Sequence, residues 1–138
     1  LTVIGRNGQD NAYAPLKIDP QINFVGEVKD VTPYYQKNNI AIVPLLEGSG
    51  TRLKILEAMS FGLPIITTSV GVEGITTINN TKILIANGSE FFTSSIANVL
   101  ENRPKLRFLS KNGMALIETK YNWQQIINEL VNNLIKNK

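Results

Sequence analysis

The densest run of chemically able residues is Glu47-Gly48-Ser49-Gly50-Thr51-Arg52-Leu53-Lys54-Ile55-Leu56-Glu57, which brings carboxylates, hydroxyls, cations and small residues together. It follows the apolar run Ile40 to Pro44 and leads into Thr51 to Phe61, a segment of helical spacing that Gly62 and Pro64 stop. A Gly-x-Gly turn before a helix leaves backbone N–H groups free, and Gly48 and Gly50 let a ligand approach the backbone. Arg52 would add a forked, permanently charged donor, for which phosphate or diphosphate is the natural guest. Glu57 lies beside Leu53, Lys54 and Ser60 at i−4, i−3 and i+3, and interrupts an apolar stretch. A carboxylate so placed accepts two hydrogen bonds side by side, which suits a vicinal diol such as a ribose.

The same residues have plainer uses. Gly48-Ser49-Gly50-Thr51 also fits a strand-to-helix turn with Ser49 or Thr51 as N-cap. Lys54 and Glu57, three residues apart, also fit a surface ion pair. Local pattern leaves both alternatives open. Two phosphate fingerprints fail: Gly48-x-Gly50-x-x-Leu53 lacks the third glycine of the dinucleotide motif, and Lys54 lacks the neighbours of a Walker loop. Trp123 and the pair Phe91-Phe92 read as core anchors, not as ligand platforms. Asn79-Asn80-Thr81 and Asn87-Gly88-Ser89 match the glycosylation triplet, but in an Asn-rich chain they read as chance.

The elements that must position this run are legible as an alternation. Leu1 to Gly5, Ile22 to Gly26, Ile40 to Pro44, Pro64 to Thr68 and Lys82 to Ala86 are short, β-branched and apolar, as expected of strands buried on both faces. Between or after them, Val31 to Lys37, Thr51 to Phe61 and Glu90 to Leu100 have helical spacing, so a parallel sheet with helices on both faces is predicted. Beyond Ala86 the chain becomes helical. Trp123, Ile126, Ile127, Leu130, Val131, Leu134 and Ile135 recur at the spacing of one buried helix face, and Asn122 with Gln125 approximates a capping box.

Composition limits the chemistry further. The 138 residues suit one globular domain spanning 1–138. Fourteen Lys and Arg against eleven Asp and Glu leave a net charge of +3, and without a basic run this argues against a nucleic-acid partner. The absence of Cys and His removes disulfides, thiol nucleophiles, imidazole catalysis and zinc sites rich in those ligands. No apolar run approaches the roughly 18 residues that span a membrane, and the first residues do not form a signal peptide.

The run Gly48 to Pro64 resembles the signature of retaining GT-B glycosyltransferases of the large group 1, or family 4, type. Val3-Ile4-Gly5, Phe24-Val25-Gly26-Glu27-Val28, Val43-Pro44-Leu45, Gly71-Val72-Glu73-Gly74-Ile75 and Tyr121-Asn122-Trp123 extend the similarity over nearly the whole chain. The resemblance implies a Rossmann-like α/β fold, the C-terminal half of a GT-B protein, that holds a nucleoside diphosphate sugar and needs no cofactor or metal. Glu57 matches the second Glu of the family's Glu, seven residues, Glu motif, which hydrogen-bonds the ribose. Ser49 falls at the first Glu position, a departure, with Glu47 two residues out of register. Gly48, Gly50, Thr51, Arg52 and Lys54 join them as expected donor-binding residues.

By the same resemblance a first strand and helix precede Leu1, and an absent N-terminal domain supplies the site for a saccharide or lipid-linked acceptor. In the strand order 3-2-1-4-5-6 that the resemblance implies, Leu1 to Gly5 is the second strand and Ile40 to Pro44 the fourth, and either that preceding segment or another chain fills the slot between them; direct pairing of the two would refute this order. Polysaccharide biosynthesis in the cytoplasm, or at the cytoplasmic face of a membrane with peripheral association of the whole protein, is the expected setting. Two alternatives remain: a non-enzymatic carbohydrate- or nucleotide-binding scaffold, because Ser49 removes a carboxylate, and a sugar-nucleotide epimerase of the same fold, whose acidic and His residues are not evident here.

Overall fold

A computed structural model describes residues 1–6, 14–76 and 79–136, which fall into two compact units, Leu1–Tyr34 and Tyr35–Lys138. In the first unit, strands β1 (Thr2–Ile4) and β2 (Asn23–Gly26) flank the short helix α1 (Ala14–Lys17). They run parallel, with Thr2 opposite Asn23 and Val3 opposite Phe24, before the register shifts to set Ile4 opposite Gly26. The terminal amine donates to the Gln21 carbonyl at 2.7 Å, and Arg6 pairs with Glu27 at 2.9 Å on the surface. Helix α2 (Thr32–Lys37) opens where the Thr32 N–H donates to Asp30 Oδ1 at 2.9 Å. Hydrogen bonds from Thr32 hold the Asp30 carboxyl below its ordinary pKa.

The second unit contains β3 (Ala41–Val43), α3 (Leu53–Ser60), β4 (Ile65–Thr67), a 3-10 turn (Val70–Val72), β5 (Leu84–Ile85), α4 (Ser89–Glu101), α5 (Arg103–Lys120) and α6 (Trp123–Lys136). Its sheet is parallel in the order β3-β4-β5, with Ile42 opposite Ile66 and Ile66 opposite Leu84. Central β4 is buried at every position, and because side chains alternate across a strand, its two isoleucines enter different cores. Ile65 packs with Ile55, Ala58, Met59, Ile83 and Leu116, drawing on α3 and α5. Ile66 packs with Leu84, Ala86, Val99 and Leu109, drawing on α4 and α5. Helices therefore cover both faces of this sheet, as the alternating pattern requires.

All five expected strands form inside their predicted runs, β1 and β2 in a two-stranded sheet and β3, β4 and β5 in a three-stranded one. Three expectations need correction. Helix α3 starts at Leu53, two residues later than predicted, and Arg52, not Ser49 or Thr51, stands at its N-cap without a side-chain capping bond. The apolar face of α6 forms but is not buried: Trp123 is 77% exposed, and Leu130 and Leu134 are likewise open. The helical period alone creates that stripe, whereas burial needs an apposed surface, and α3, α4 and α5 already fill both cores. Trp123 is thus no core anchor. Phe91 is exposed too, while its neighbour Phe92 packs against the second core. Asn122 does start α6, accepting from the Gln124 N–H at 2.8 Å.

Candidate functional site

Parallel pairing sends the carboxyl ends of β3, β4 and β5 to one edge of the sheet, where ligands bind in open α/β folds. Side chains and backbone tie the loops there together. Thr67 Oγ1, buried at the end of β4, donates to the Val43 carbonyl at the end of β3 at 2.7 Å. The adjacent Thr68 hydroxyl donates to the Leu45 carbonyl and accepts from the Gly71 N–H at 3.2 Å. A Cβ at residue 71 would lie 1.9 Å from Thr67 Oγ1, so only glycine lets the 3-10 turn fold back onto the strand. One turn further, Gly74 brings the same loop against Thr51, its notional Cβ 3.0 Å from Thr51 Oγ1. Asn87, after β5, accepts from the Ser69 N–H and hydroxyl at 3.0 and 3.2 Å.

Within this frame the loop from Glu47 to Thr51 is exposed, with positive φ at Gly48 and Gly50, 130° and 79°, that side-chain-bearing residues rarely adopt. Arg52 curls back over it. Its Nη1 donates to the Ser49 carbonyl at 2.5 Å, and a Cβ on Gly48 would come within 2.9 Å of Nη2. Nε and Nη2 are buried yet have no hydrogen-bond partner among the described residues. Buried guanidinium donors without acceptors are costly, and an anion entering the loop would satisfy them. The Leu53 N–H, by contrast, is already taken by the Thr51 carbonyl at 3.0 Å, so the helix start offers fewer free amides than the spacing implied.

Glu57 is exposed on α3, and among the described residues it forms no ion pair with the equally exposed Lys54. The carboxylate instead accepts from the Tyr35 hydroxyl, Oε2 to Oη at 3.2 Å, while the Tyr35 ring stacks on Phe61 with centroids 5.2 Å apart. Partial burial, the Glu57 charge and that hydrogen bond push the Tyr35 hydroxyl up to about 12. Of the expected residues, the structure joins Gly48, Ser49 and Arg52 by direct contact and brings Thr51 to Gly74. Glu47 lies exposed in the loop, and among the described residues no hydrogen bond links Glu57 to Arg52. Sequence reasoning missed Tyr35, Thr67, Thr68 and Asn87. Tyr35 stands 22 positions before Glu57, so no local spacing could have signalled it.

A parallel sheet covered by helices on both faces, with its loops tied at the carboxyl edge, defines a Rossmann-like α/β domain. Residues 1–102 match the family described as glycosyl transferases group 1, and the chain belongs to that family. It is 30% identical over 100 residues to a lipopolysaccharide core biosynthesis mannosyltransferase of Rhizobium meliloti (strain 1021), covering 69% of this chain and 28% of that protein. In fold it is similar to the C-terminal domain of a glycosyl transferase group 1 family protein from Francisella tularensis, with a TM-score of 0.68 and 20% identity over 81% of this chain and 60% of that one. It is also similar to Anabaena HepE in complex with UDP and glucose, with a TM-score of 0.81 and 14% identity over 98% of this chain and 40% of that one. The chain spans 28% to 38% of the length of three curated relatives that it matches. No described helix is long and apolar enough to cross a membrane.

Proposed function

We propose that this chain is the donor-binding domain of a glycosyltransferase that moves a sugar from a nucleoside diphosphate sugar to a saccharide or lipid-linked acceptor with retention of anomeric configuration. The observation that carries this reading is the pair of buried Arg52 nitrogens, without an acceptor among the described residues, that lie over the glycine loop at the carboxyl edge of the sheet. A diphosphate oxygen would complete them, with Gly48 and Gly50 allowing the approach and Ser49, Thr51, Lys54 and Glu47 around it. The Glu57 carboxylate takes the ribose diol. In the transfer the bond between the anomeric carbon and the donor phosphate oxygen breaks, a bond to the acceptor oxygen forms, and the acceptor hydroxyl's proton passes to the departing phosphate oxygen. Negative charge grows on the departing diphosphate, where a guanidinium stabilises it most.

The likeness to a UDP-binding neighbour supports a nucleotide donor, and the match to a relative named as a mannosyltransferase supports sugar transfer. Arg52 and the loop meet the diphosphate charge in this reading without a metal ion. Acceptor binding, and any peripheral contact of the intact protein with a membrane, belong to parts outside this chain. A thermal-shift screen of the intact protein against UDP-, GDP- and ADP-sugars tests the proposal. Stabilisation by one of them that Arg52→Ala abolishes is the expected result, and no response to any of them would refute it.

A further inference from the structure

We propose that Tyr35 is a positioning residue for the ligand-binding carboxylate, holding Glu57 so that its uncommitted oxygen faces a diol; this rests on the ribose reading given above. Glu57 sits on the exposed side of α3, where a glutamate with three rotatable bonds would ordinarily sample several rotamers. The Tyr35 hydroxyl engages only Oε2, leaving Oε1 without a donor among the described residues. Tyr35 is itself fixed, because its ring packs against the first core and stacks on Phe61 at the end of α3, 25° from coplanar. One aromatic side chain from α2 thus grips α3 at two points, the residue proposed to bind ribose and the residue that closes the helix.

The pairing also has a definite proton state. Burial and the Glu57 charge raise the Tyr35 pKa to about 12, so the hydroxyl stays a donor to Glu57 in the alkaline range where an unshifted tyrosine would become an anion. A tyrosine needed only for packing would require its ring and not this hydrogen bond. Pre-organisation of a recognition group reduces the ordering that binding must impose, and its loss appears as weaker affinity for the contacted group alone.

Tyr35→Phe removes the hydroxyl and retains the stacked ring. Titrations of the intact protein with UDP, GDP and ADP, and with the 2′,3′-dideoxy form of whichever binds tightest, separate positioning from packing. The expected result is about fivefold weaker binding of the ribonucleotide, the effect of one lost hydrogen bond, with affinity for the dideoxy form and the melting temperature unchanged. Equal weakening of both ligands, or no weakening of either, would overturn the positioning role. Glu57→Gln in the same titrations tests the reading beneath it. If that variant still prefers the ribonucleotide as strongly as the parent does, or if none of the three nucleotides binds, the ribose assignment itself fails.

Discussion

Half-buried Arg52 combines a permanent charge with two buried nitrogens, Nε and Nη2, that have no acceptor among the described residues, an arrangement that an anionic ligand would complete. Lys cannot reproduce it, because an ammonium offers a point charge where the guanidinium offers a planar fork. Arg52→Lys is therefore expected to weaken nucleoside diphosphate binding by the intact protein roughly tenfold, with little change in melting temperature. A loss of several degrees with unchanged affinity would make Arg52 a purely structural arginine. Tyr35 supports a second prediction, in stability. Its pKa is near 10 in the unfolded chain and about 12 in the fold, so the folded state holds the proton more tightly. The stabilisation is complete below pH 10 and declines as the pH rises from 10 towards 12. Chemical denaturation across that range should show a steeper loss for the parent than for Tyr35→Phe.

Among the elements, β4 and the turn that follows it bear most of the constraint. Ile65, Ile66 and Thr67 are fully buried, and Gly71 touches Thr67 where a methyl group has no room. Gly71→Ala should destabilise the chain by about 1–3 kcal/mol, since the turn must move and the Thr67 bond to Val43 is disturbed. Urea denaturation measures this directly. Helix α6 makes the opposite case. Leu116 of α5 lies in the core, whereas Leu130 of α6 is 58% exposed although its helical spacing looks just as apolar. Leu116→Ala should cost about 2–5 kcal/mol in this chain, and Leu130→Ala no more than about 0.5 kcal/mol. Equal losses from the two substitutions would show that the α6 face is covered in solution.

For the molecule as a whole, the 138 residues hold one wall of a cleft in the proposed function. Sugar transfer needs the acceptor hydroxyl held at the anomeric carbon in a site that excludes water, and such positioning supplies much of the rate. The isolated chain is accordingly expected to bind donor weakly, with a dissociation constant on the order of 1 mM or somewhat below, and to release no nucleoside diphosphate in response to an acceptor. Acceptor-dependent release that Glu57→Ala abolishes would show that this chain carries a complete active site.

Strands, their order along the chain and the loop most able to do chemistry were legible in the sequence because they are local properties. A β-branched run between turn residues extends, Gly-x-Gly turns, and alternating isoleucines at 65 and 66 must face opposite sides of a sheet. Tertiary structure decided what local pattern leaves undetermined. The amphipathic stripe of α6 has the period of a buried face, yet burial depends on a surface opposite it, and among the described residues none closes over Trp123, Leu130 or Leu134. Thr51 looked like a cap, but the chain enters the helix two residues later, with Arg52 folded back over Gly48. The spacing leaves open whether Lys54 pairs with Glu57, and the fold instead supplies a hydrogen bond from Tyr35 on another helix. Spacing along a chain specifies which residues share a face; only the packed fold specifies what that face meets.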